Sequence, residues 1–92
     1  MQGKRGTVVT VQYDSKAVGA TIRALRRERR LSQEVLSGLA GIARTHLTMI
    51  ENGTKQANFE TLWRLAQALD LRPSQLVRRI EDTIQNTGDG AR

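Results

Sequence analysis

Between Ser32 and Gly53 the chain encodes two short helices separated by a very tight turn, and few packings accommodate that. Ser32 has the side chain of a helix N-cap, and Gln33 and Glu34 follow it as a first turn. Ala40-Gly41 closes this run, because a glycine there can take the left-handed conformation that ends a helix. A second run covers about Ala43 to Asn52 and stops in the same way at Gly53. Small residues at Ser37 and Ala40 let the two segments approach. Leu36, with Leu47 or Ile50, would lock their crossing from the inside. That leaves Arg44, Thr45, Thr48 and Met49 on a face turned away from the core.

The surrounding chain reads as further helices. Val18, Ile22 and Leu25 recur at spacings of three and four, with Asp14 or Ser15 as N-cap and Arg29-Arg30-Leu31 as the end. Val35, Leu36 and Leu39 supply the apolar face of the next helix. Asn58 caps a fourth helix, with Glu60 behind it and an apolar stripe of Phe59, Leu62, Leu65, Ala66 and Leu69. After Asp70-Leu71-Arg72, Pro73 or Ser74 opens a fifth helix carrying Leu76, Val77, Ile80 and Ile84. The expected fold is therefore all-α, with five helices over residues 15–85. Residues 1–14 form an arm, in which Thr7 to Tyr13 is β-branched and partly alternating. It reads as a short strand or extended segment that pairs with a second copy, or as a frayed end. Asn86 to Arg92 is Gly-rich and polar and reads as a disordered tail. No internal repeat is present.

Charge points to the partner. Fifteen Lys and Arg oppose nine Asp and Glu, for a net charge of +6, and only Lys4, Lys16 and Lys55 are lysine. Arginine forks suit phosphates and guanine edges, so a polyanion fits better than a neutral ligand. A solvated basic face is the plain alternative. Tyr13, Phe59 and Trp63 are the whole aromatic complement, too few for stacking platforms on single strands. That weakens single-strand DNA or RNA as the partner. No apolar run approaches the ~20 residues of a membrane span, and Met1 to Thr7 leads into no signal-peptide apolar region. The absence of cysteine excludes disulfides and cysteine-based zinc sites and suits a reducing cytoplasm.

The outward face of the third helix has the chemistry to read base edges. Arg44 can fork onto guanine O6 and N7. Thr45 and Thr48 offer hydroxyls to bases or phosphates and methyls to thymine, and Met49 offers an apolar contact.

These residues carry a resemblance. Ile22 to Leu76, with IRALRRERRLSQEVLSGLAGIARTHLTMIENG followed by FETLWRLAQALDLRPSQL, resembles the phage-repressor and Cro-like helix-turn-helix domains of the XRE family. Leu31-Ser32-Gln33, Leu36, Gly41, Ile50-Glu51-Asn52-Gly53 and Glu60-Thr61-Leu62 all fall at that family's spacing. The resemblance implies a five-helix, lambda-repressor-like domain. It places Arg44, Thr45 and Met49 at base-reading positions, with Thr48 beside them. It assigns Gln33 to a phosphate and a base-contacting partner, and Asn52, Lys55 and the loop near Gln56 to phosphates. Arg26 and Glu51 match a buried structural ion pair. The sequence departs from the family at Arg30 and Asp70, where Gly is frequent, at Ala43, where Ser or Thr is, and at Ala57, where Pro is. These departures touch loop geometry and not the reading face.

The remaining candidates carry bland alternatives. His46 has no other soft ligand to share a metal, so a phosphate or base-edge contact, or simple exposure, is expected. The Arg26-Arg27-Glu28-Arg29-Arg30 run is a solvated face or touches DNA backbone. Trp63 packs on the fourth helix or lines a dimer contact. Ile80 and Ile84 are assigned to a homodimer interface. No catalytic set, phosphate loop or cofactor site is present. The sequence thus predicts a homodimeric repressor or autoregulator on a palindromic operator, in a bacterial or phage-encoded cytoplasmic setting. The rival is an antitoxin whose main work is binding a toxin through the Val8 to Tyr13 arm. Non-specific DNA binding by charge alone is a second rival.

Overall fold

The computed structural model describes residues 12–90. It contains α1 (Ser15–Glu28), α2 (Gln33–Ala40), α3 (Arg44–Asn52), α4 (Phe59–Ala68) and α5 (Pro73–Gly90). Each boundary follows from local chemistry. The Asp14 side chain accepts from the Lys16 amide at 3.0 Å, so Asp14 rather than Ser15 caps α1. The Ser15 hydroxyl instead donates to the Gly53 carbonyl at 3.2 Å, tying the start of α1 to the end of α3. Ser32 accepts from the Val35 amide and Asn58 from the Thr61 amide, which fixes the starts of α2 and α4. Gly41 and Gly53 end α2 and α3 at φ +72° and +78°.

Where the family frequently has Gly, Arg30 and Asp70 hold the same left-handed backbone, at φ +56° and +61°. A side chain there is disfavoured, least so for Asp, and packing must hold it in place.

The core is one cluster. Ile22, Leu25, Leu36, Leu47, Ile50, Leu65, Leu69 and Leu76 are essentially inaccessible. Burying each contributes roughly 1.5–3 kcal/mol. The α1–α3 crossing is a close backbone approach. Gly19 lies against the backbone of Ile50 and Glu51, and a Cβ added to it would collide with the Ile50 carbonyl oxygen and lie 2.6 Å from that of Glu51.

Several expected core positions lie outside. On α2 the buried ridge is Leu36 and Ala40, spaced by four. Val35 and Leu39 sit one residue earlier, about 100° round the helix, and are exposed. Phe59 and Val77 are exposed as well, and Trp63 is half out, edge-on to Phe59 with centroids 5.8 Å apart. Ile80, expected at a dimer interface, belongs to the core of the single chain, because α5 lays its Leu76–Ile80 ridge inward. Ile84 packs partly against the same core.

α5 also continues past Gln85, beyond the 15–85 domain the sequence predicts. Gly88 weakens a helix by only about 1 kcal/mol, and no proline interrupts it. The arm segment Thr7 to Val11, with its expected strand, and the final Ala91 and Arg92 lie outside the described residues. Gln12 to Asp14 are irregular.

Candidate nucleic-acid interface

α3 is held by one face and free on the other. Leu47, Ile50 and Glu51 are buried. Arg44, Thr45 and Met49 are exposed, and His46 and Thr48 are half-buried. Gly41 turns α2 back so that α3 crosses it, with Leu36 and Leu47 inside the crossing. Ala43 starts α3 without a side-chain cap. The predicted base-reading side chains therefore share one open helix face, while Lys55 and Gln56 lie exposed on the loop beyond Gly53.

Behind that face sits a charged cluster. The Glu51 carboxylate is inaccessible and accepts from Arg26 through Nε at 2.7 Å and Nη2 at 3.0 Å. Gln33 Nε2 donates to the same carboxylate at 3.0 Å, and Arg23 Nε approaches it at 3.5 Å. Arg26 Nη1 also donates to the Leu31 carbonyl, joining the α1–α2 turn to the cluster. Burial pushes the Glu51 carboxyl up. The hydrogen bonds from Arg26 and Gln33, the Arg26 charge and the Arg23 hydrogen bond outweigh burial and hold it below its ordinary value. Arg26 is raised, first by its hydrogen bond to Glu51, against its own burial. The pair predicted from the resemblance is thus one edge of a four-residue cluster joining α1, α2 and α3.

Two expected phosphate ligands are already engaged. Gln33 gives one Nε2 hydrogen to Glu51, and its Oε1 accepts from the Thr48 hydroxyl at 2.9 Å. One Nε2 hydrogen is left for a phosphate. Asn52 Oδ1 accepts from Arg23 Nη2 at 2.7 Å. An arginine can only donate, so Asn52 must turn its carbonyl inward and present its NH₂, the polarity a phosphate requires. Arg23 was not singled out by the sequence. Its position one turn before Arg26, on the same side of α1, was the available signal. Among the described residues no three His, Asp or Glu side chains gather as a metal site, and no helix is long and apolar enough to cross a membrane.

Two short helices joined by a glycine turn, the second held on one face against a buried ion cluster and open on the other, define a helix-turn-helix domain. The helix-turn-helix family model matches residues 22–76, and the chain belongs to that family. It is 35% identical over 68 residues to the uncharacterized HTH-type transcriptional regulator y4dJ of Sinorhizobium fredii, covering 74% of this chain and 88% of that one. It is 30% identical over 79 residues to the same organism's uncharacterized HTH-type transcriptional regulator y4dL. That match takes in 86% of this chain but only 40% of y4dL. Among solved structures it is similar to the restriction-modification controller protein C.AhdI of Aeromonas hydrophila, at 34% identity and a TM-score of 0.65, covering 67% of this chain and 94% of that one.

Proposed function

We propose that this chain regulates transcription by binding double-stranded operator DNA in a sequence-specific manner, as a homodimer that represses or autoregulates. The observation that carries the reading is the exposed α3 face of Arg44, Thr45 and Met49, with Thr48 at its edge, on a helix braced from behind. α3 enters the major groove and these side chains meet base edges. Gln33, His46, Asn52, Lys55 and Gln56 hold phosphates around it. The +6 charge supplies attraction that is independent of sequence. The similar proteins described as transcriptional regulators and as a controller protein support the same direction. The protein acts in the cytoplasm, where its DNA lies.

In the homodimer the two α3 helices lie about one turn of DNA apart, ~34 Å, which calls for a near-palindromic site. Ile80 is taken up by the core. Exposed apolar side chains off the α3 face are Tyr13, Val35, Leu39, Phe59, Trp63 and Val77, with half-buried Ile84 beside the core, and self-association would draw on some of these.

Selection from a random duplex library at ~150 mM salt tests the reading, repeated with Arg44→Ala and Thr45→Ala. A palindromic motif that blurs at defined positions in the variants is the expected result. Binding without an enriched motif, fading steadily as salt rises, overturns it in favour of attraction by charge alone.

A further inference from the structure

We propose that Thr48 meets DNA as a hydrogen-bond acceptor, matched to an exocyclic amine of adenine or cytosine, because Gln33, oriented by buried Glu51, and the Arg44 carbonyl both present acceptors to its hydroxyl. The inference rests on the DNA-reading function above. The Glu51 carboxylate accepts four hydrogen bonds, from Arg26 Nε and Nη2, Gln33 Nε2 and Arg23 Nε, and can donate nothing. Gln33 must therefore offer it Nε2, at 3.0 Å. An amide is planar and two-ended, so committing Nε2 to Glu51 turns Oε1 the other way, where Thr48 Oγ1 lies at 2.9 Å.

Oε1 is an acceptor, so the Thr48 hydroxyl donates to it. The other polar group within reach of Oγ1 is the Arg44 carbonyl at 3.0 Å, which is also an acceptor. A hydroxyl has one proton. Whichever partner takes it, the proton stays within the protein and lone pairs are what Oγ1 offers to a ligand. The major-groove edge carries acceptors at N7, O6 and O4, and its donors are the N6 amine of adenine and the N4 amine of cytosine. Thr48 therefore fits an amine, whereas Arg44 on the same face can only donate and fits guanine. The two residues sort base pairs by opposite polarity one helical turn apart.

The test uses the operator found by selection. Duplexes are made with single adenines replaced by purine, which lacks the N6 amine, or single cytosines by 2-pyrimidinone, which lacks the N4 amine. A matching set removes acceptors, with 7-deazapurines for N7. Wild type, Thr48→Val and Thr48→Ser are titrated on each, with thermal unfolding to confirm that each is folded. One amine per half-site is expected whose removal weakens wild type and Thr48→Ser by about two- to tenfold and leaves Thr48→Val unchanged. Thr48→Ala serves in the same way if the valine variant does not fold. A Thr48-dependent loss that maps to N7, O6 or O4 overturns the proposal. So does a clear motif to which the Thr48 variants are indifferent. A wild-type protein that enriches no sequence overturns the DNA-reading function beneath it.

Discussion

Gly19 and Ile50 pack backbone to backbone, with no volume between them for even a methyl group. This contact sets the distance between α1 and α3. The same crossing carries the Ser15 bond to the Gly53 carbonyl and the Arg23 and Arg26 bonds to Glu51 and Asn52. The position of α3 thus depends on a glycine on a different helix, far from its outer face.

Gly19→Ala should accordingly destabilise the domain by about 3 kcal/mol or more, because the obstruction is main chain and cannot swing aside. Gly38→Ala is the control. Nothing lies within 4 Å of the Cβ it would gain, so it should stabilise by roughly 0.5–1 kcal/mol through helix propensity. Urea titrations of the two variants check this. Equal stabilities would show that the close approach does not hold α3.

Glu51→Gln should cost roughly 3–5 kcal/mol, since it leaves Arg26 partly buried without its counter-charge. Arg26→Met should be similar or slightly milder, because Arg23 remains near the carboxylate. The folded carboxyl is depressed, so its stabilisation is fully present above the ordinary carboxyl value of 4.5. It is lost as pH falls through the lower, folded value. The gap between wild type and Glu51→Gln should therefore hold near neutrality and narrow only in acid. Denaturation series from pH 7 downward measure it, and a gap that closes well above 4.5 contradicts the assignment.

What the sequence made legible divides along physical lines. Caps and stops are local chemistry, and Ser32, Asn58, Gly41 and Gly53 stand where their side chains, or lack of one, required. The apolar spacing of Ile22, Leu25, Leu36, Leu47 and Leu65 located the core for the same reason. The misjudged residues depend on how far each helix rolls toward its neighbours. Val35, Leu39 and Phe59 sit beside a buried ridge, and Ile80 sits on one, which a pattern of apolar letters does not resolve. The candidate site was legible as an exposed α3 face but not as a network. Nothing in the spelling of Gln33 and Thr48 says that their amide and hydroxyl meet at 2.9 Å, because that contact spans two helices. Gly19 was equally silent, since its reason is the absence of a side chain at a crossing.

Arg30→Gly should stabilise by about 1 kcal/mol, because it relieves a long side chain from φ +56° without removing a core contact. Asp70→Gly, at φ +61°, should gain less, since Asp tolerates this region better and glycine adds entropy to the unfolded chain. Calorimetric midpoints of the two variants give the order. A loss at Arg30 would mean that its side chain makes a stabilising contact.

Arg44 and Lys55 should separate under salt. Arg44 is exposed on the α3 face, where a guanidinium can fork onto a base. Its replacement by Ala should cost roughly 1–3 kcal/mol on the selected operator and little on unrelated duplexes, so the two affinities converge. Lys55 lies on the loop after Gly53, where a flexible ammonium meets phosphate as a point charge. Lys55→Ala should weaken binding to operator and unrelated DNA alike. It should also lower the slope of log affinity against log salt by about 0.9, the share of one phosphate contact. Titrations of each variant on both duplexes across a salt series distinguish the two behaviours. If Arg44→Ala instead changes the salt slope and spares the preference between duplexes, Arg44 holds the backbone and the reading falls to Thr45, Thr48 and Met49.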